Sequence, residues 1–125
     1  SAPYLDNRAG CAVLLALERK NLEESEELVE RAIEYTGPSA NSLDSRALVY
    51  LARGEPAKAL TDIEAVLADS RVAMACFRKA QILVELGRRD EARQSLQEAQ
   101  KLGLKAGLLH PLERPGYEKL CKAIL

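Results

Sequence analysis

The side chains that could do chemistry are few and scattered. Three cysteines, Cys11, Cys76 and Cys121, stand far apart, with no Cys-x-x-Cys pair among them. An odd count at such spacing points to neither a disulfide framework nor a zinc site. The thiols read first as small apolar core residues, with a reactive thiol as the alternative. The one histidine, His110, precedes Pro111 and has no cysteine or carboxylate grouped beside it, which makes a poor metal site. Gly54 and Gly87 stand alone, so there is no glycine-rich phosphate loop, and no Gly-x-Ser-x-Gly turn holds a nucleophile. Carboxylates abound, most densely at Glu23, Glu24, Glu26, Glu27, Glu30 and Glu34. That run reads as a solvated helix face favoured by the helix N-terminus, with an acidic docking patch as the sharper alternative. Residues 71–105 lean the other way, with eight Lys or Arg against four Asp or Glu. No convergent set of titratable groups emerges. The expectation is a chain that is not an enzyme and takes no cofactor or metal.

Composition narrows the class further. A length of 125 residues suits one domain or one short repeat array. Apolar residues at 47% and charged residues at 30% allow a core and a soluble surface together. A formal net charge of -1 argues against nucleic acid, which needs a concentrated basic surface. The longest apolar run, Cys11 to Leu17, ends in Glu18-Arg19-Lys20 and falls far short of the roughly 20 residues of a membrane span. No basic start leads into an apolar segment, so no signal peptide is expected. Ser1-Ala2 in place of an initiator Met suggests a piece of a larger protein. A cytoplasmic location is the expectation.

Internal repetition supplies the elements. Gly54 and Gly87 lie 33 residues apart, and each ends one apolar helical pattern and precedes another. Sliding the sequence by 33 pairs Ala47 with Ala80, Tyr50 with Leu83, Leu51 with Val84, Ala59 with Ala92 and Ile63 with Leu96. Small meets small and large apolar meets large. A slide of 34 finds a weaker copy, in which Leu14 meets Leu48, Leu17 meets Leu51 and Val29 meets Ile63. Within a copy, Phe77, Ala80, Leu83 and Val84 recur at helix spacing. Glycine then supplies the left-handed cap. Pro56 suits the first turn of a helix, and Asn21 with Glu24 suits a capping box. Gly37-Pro38-Ser39 stops the first hairpin. Ala47, Ala59, Ala80 and Ala92 stand where two helices must approach closely. Each hairpin leaves one apolar face open and must stack on the next.

On these residues the chain resembles the tetratricopeptide-repeat family. The third copy carries the family's spacing at Gly87, Ala92, Leu96 and Ala99. The second carries it at Gly54, Ala59 and Ile63, and the first at Val29 and Ala32. Lys20 departs from the pattern, and Arg46 and Lys79 replace a family leucine. Their stems are expected to pack while their charges reach water. The tail resembles the end of bacterial repeat arrays. The resemblance implies an all-α, right-handed α-solenoid. Its hairpins are expected over 6–36, 39–69 and 72–102, and Tyr117, Leu120, Cys121 and Ile124 mark a capping helix over 113–125.

The resemblance also implies a concave groove lined by the first helix of each hairpin. Carried over, its positions are Asn7, Gly10, Leu14 and Leu17, then Asn41, Asp44, Leu48 and Leu51, then Met74, Phe77, Gln81, Val84 and Glu85. Leu14, Leu48, Leu51 and Phe77 are expected to form an exposed apolar middle for a peptide or partner helix. Self-association, or service as a spacer within a larger protein, is the alternative. The family's chaperone-tail clamp would fall on Gly10, Leu14, Ser45, Met74 and Arg78. Only Arg78 fits, so binding of such tails is not expected.

Overall fold

A computed structural model describes residues 22–109 and 111–125. Among the described residues the chain is all-α. The helices are α1 Leu22–Thr36, α2 Ala40–Ala52, α3 Pro56–Asp69, α4 Ala73–Glu85, α5 Arg89–Lys101 and α6 Arg114–Ile124. A 3-10 turn, Ala106–Leu108, precedes α6.

Local chemistry sets the helix ends. Ser39 and Ser42 form a reciprocal capping box at the start of α2. The Ser42 amide donates to Ser39 Oγ at 3.2 Å, and the Ser39 amide donates to Ser42 Oγ at 2.8 Å. Pro56 opens α3, where its missing N–H costs nothing. Gly54 and Gly87 adopt φ of 79° and 77°, a conformation that L side chains rarely take. Each lets the chain fold back on the preceding helix. The Glu55 amide donates to Tyr50 O and the Arg88 amide to Leu83 O, both at 2.8 Å.

Packing follows chain order. Each helix from α1 to α4 lies against the next. Of the non-sequential pairs, α2 touches α4 and α4 touches α6. The first helices of the hairpins thus form one row, and α6 extends it. Ala47, Ala59, Ala80 and Ala92 are all fully buried. Any larger side chain there would push the paired helices apart. The core divides along the chain as a stacked array should. Val29, Leu48 and Val49 join α1 to α2, and Ala47, Ala59, Ile63 and Ile82 join α2, α3 and α4. A larger group holds Phe77, Leu83, Leu96, Leu104, Leu120 and Ile124, and it seals α6 onto the last hairpin.

Arg46 differs from its expected snorkelling. Its guanidinium turns inward across the hairpin and grips Asp62 through two bonds of 2.8 Å. Glu30 lies 3.3 Å from Nη1. Asp62 is buried, so the bidentate geometry is what offsets the cost of taking its charge out of solvent. The hydrogen bonds that Arg46 donates to Asp62 raise the Arg46 pKa against the opposing effect of burial. A charged pair therefore stands where the family resemblance places leucine.

Candidate functional site

Several side chains expected to form the groove lie elsewhere. Asn7, Gly10, Leu14 and Leu17 fall outside the described residues, as do Cys11, Asn21 and His110. Leu48 is 6% exposed and packs with Val29 and Val49 toward α1. Phe77 is fully buried because Tyr117 of α6 covers it edge-on, with ring centroids 5.7 Å apart. Neither residue can serve as open groove floor. Met74 is half-buried against the same core, and Asn41 is exposed on the first turn of α2.

Arg78 organises the middle of the row. It is 1% exposed, yet it carries a full charge. Nε donates to Asp44 Oδ1 at 3.1 Å, and Nη1 donates to Gln81 Oε1 at 2.9 Å. Nη1 also forms an ion pair with Glu113 Oε1 at 2.6 Å. Burial disfavours the charge. The Asp44 and Glu113 carboxylates outweigh it and hold the pKa above the ordinary arginine value. One guanidinium thus ties α2, α4 and the start of α6 together. Arg78 is fully engaged, and Ser45 is buried with its hydroxyl bonded to Asn41 O. Neither is free to clamp a peptide carboxylate.

Beyond this hub the row opens. A cleft of about 350 Å³ lies between the last turns of α2 and α4 and one face of α6. Its apolar walls are Leu51, Ala52, Val84, Leu120 and Ala123, and its polar rim is Gln81, Glu85 and Lys119. Of the expected groove residues, it brings together Leu51, Gln81, Val84 and Glu85. The α6 wall, with Gly116, Lys119, Leu120 and Ala123, lies outside the expected groove. Gly116 there passes so close that an added Cβ would stand 3.2 Å from Gln81 Nε2. The period-3.6 pattern of the tail marks its helix, but no sequence signal places that helix beside α4.

Two other hollows are polar. One, of about 320 Å³, lies over Lys79, Glu64, Arg71, Arg88, Glu91 and Glu98. Its Arg71–Glu98 and Arg88–Glu91 pairs neutralise one another. The acidic run on α1 borders the second, where Glu26 pairs with Arg53. Glu27 pairs with Arg31. Among the described residues no three His, Cys, Asp or Glu side chains are placed to hold a metal ion. No helix among the described residues is long and apolar enough to cross a membrane.

A stack of helical hairpins with a groove along its row of first helices is the architecture of tetratricopeptide-type repeats. The family model that describes anaphase-promoting complex, cyclosome, subunit 3 matches residues 18–99, more than half of the chain. The chain belongs to this family. Repeat families of this type generally mediate contacts between proteins and generally catalyse nothing. The match ends before α6, so the cleft combines family helices with a wall from the tail. No curated protein matches the chain.

Proposed function

We propose that the chain is a non-catalytic interaction module that holds a peptide or partner helix in the cleft between α2, α4 and α6. The repeat units in this reading are 6–36, 39–69 and 72–102, stacked as a right-handed superhelix and covered by 113–125. The observation that carries the proposal is the cleft itself. It is open and mostly apolar, with a polar rim, and it is large enough for one or two side chains. The polar hollows offer no comparable apolar surface to bury. The family description names a subunit of a complex, which fits a chain that acts by holding another protein.

Ala123 gives a clean test. It is exposed, lines the cleft and takes no part in the core. Ala123→Trp should fill the cleft and leave the helical circular dichroism unchanged. Random peptides displayed on phage should yield a pool that binds the wild-type chain and not the variant. A pool indifferent to Ala123→Trp would refute cleft binding and favour the structural-spacer reading.

A further inference from the structure

We infer that α6 is a detachable cover: it leaves the last hairpin as one unit, losing its helix as it goes, while α1 to α5 stay folded. The inference goes beyond the docking proposal and holds whatever the cleft contains. Size carries it first. α6 has 11 residues and is the shortest of the described helices. Helices shorter than about 12–15 residues are marginal in water without tertiary support, and Gly116 in the first turn lowers the helix propensity further. That support is thin. α6 buries only Leu120 and Ile124, with Tyr117 and Cys121 half-buried beside them. Every other described helix buries three or more residues, and α4 buries seven. An element that rests on few buried side chains opens at low cost.

The polar ties of α6 also release easily. Arg78 pairs with Glu113 at its start, Gln100 Nε2 donates to Tyr117 Oη at 3.1 Å, and Arg93 Nε donates to Ile124 O at 2.6 Å at its end. Gln100 and Arg93 are exposed, so they exchange a protein partner for water when the helix departs. Arg78 keeps Asp44 and Gln81, while Glu113 leaves with α6 and regains its hydration. Opening thus strands no buried carboxylate, unlike the removal of Arg78 with the cover closed. The hairpins keep their own packing. α4 and α5 share Ala80, Leu83, Ala92 and Leu96, and Ile82 joins α4 to Ala47, Ala59 and Ile63. Leu104 and Leu109 are buried in the core ahead of α6, which puts the pivot after Leu109. Opening therefore removes the third wall of the cleft and bares Phe77 in a single step.

Native-state hydrogen exchange of the full chain, read by mass spectrometry at urea concentrations below the unfolding midpoint, tests this. Peptides covering α6 should show protection at least about tenfold below those covering α4, with a shallower urea dependence, because opening exposes little surface. Leu120→Asp places a charge where α6 meets the core and should abolish protection in α6 while α2 to α5 keep theirs. Equal protection and equal urea slope in α6 and α4 would overturn the inference, since the cover would then unfold only with the whole chain. Wild-type α6 without protection would overturn it too, because nothing would be closed. Protection lost from every helix in Leu120→Asp would also sink it, since the hairpins would then need their cover to fold.

Discussion

Replacing Arg78 by methionine isolates the charged hub. Methionine keeps most of the stem and removes the guanidinium, which is 1% exposed and holds three partners. The loss is not one hydrogen bond. Asp44 and Glu113 are left with no counter-charge, and Glu113 is too buried to recover water. Breaking a buried pair from one side costs about 3–5 kcal/mol. Asp44 keeps 26% of its side-chain exposure and recovers some hydration, so the lower end, about 3 kcal/mol, is expected. In a domain of this size that corresponds to a Tm lower by roughly 10 °C. Urea unfolding followed by far-UV circular dichroism measures the cost. The triple variant Arg78→Met/Asp44→Asn/Glu113→Gln supplies the control. It removes the stranded charges and should regain at least about 1 kcal/mol over the single variant. A single-variant cost below about 1 kcal/mol, or a triple variant no more stable than the single one, would refute the account of Arg78 as a charge that its partners require.

Three further expectations follow from packing and titration. Ala92→Leu forces a larger side chain into a fully buried contact between helices and should cost roughly 1–3 kcal/mol in urea unfolding. An unchanged midpoint would mean that α4 and α5 do not meet at that residue. Gly54→Ala should cost about 1 kcal/mol, because φ there is 79° while the space around it is empty, and a neutral result in thermal melts would remove backbone strain as the cause. Burial raises the Cys76 thiol pKa above its usual value, with smaller contributions from neighbouring charges. The folded state therefore prefers the neutral thiol. Its contribution is complete below the unfolded pKa near 9.0 and fades as pH rises through the folded value. Stability should fall less steeply above pH 9 in Cys76→Ala than in the wild type, and parallel pH profiles would exclude this thiol as a contributor.

The sequence disclosed most of the fold because repetition compares like with like. Ala47 against Ala80 and Ala59 against Ala92 flag close helix contacts without knowledge of any partner. Gly54 and Gly87 mark the two turns for the same reason. The charged substitutions were harder to read. Arg46 and Lys79 occupy equivalent positions, yet Arg46 finds Asp62 16 residues away across the hairpin. The equivalent of Asp62 in the next copy is Ser95, and Lys79 borders a polar hollow instead. A shared position thus conceals two environments. Phe77 shows the other limit. Its helix face was legible, but its burial depends on where α6 lands. The segment between α5 and α6 has no counterpart elsewhere in the repeat, so no internal comparison could place it. The same gap hid Gly116, Lys119, Leu120 and Ala123 from the expected groove.

The tail therefore does two things that one segment could not do separately. The last hairpin of a stacked array must cover its apolar face, and Tyr117, Leu120 and Ile124 provide that cover over Phe77 and Leu83. The same helix presents its adjoining face, Gly116, Lys119 and Ala123, to the cleft. Gly116 allows the close approach, since a larger residue would press on Gln81, which is itself bonded to Arg78. The cover and the wall are thus joined through the Arg78 hub, where Glu113 anchors the start of α6. A change that loosens this anchor should alter the cleft before it unfolds the repeats, because α1, α2 and α3 are held by separate core groups. Under the cleft-binding proposal, partner binding would therefore be coupled to the cover over the α4–α5 hairpin by the position of one short helix.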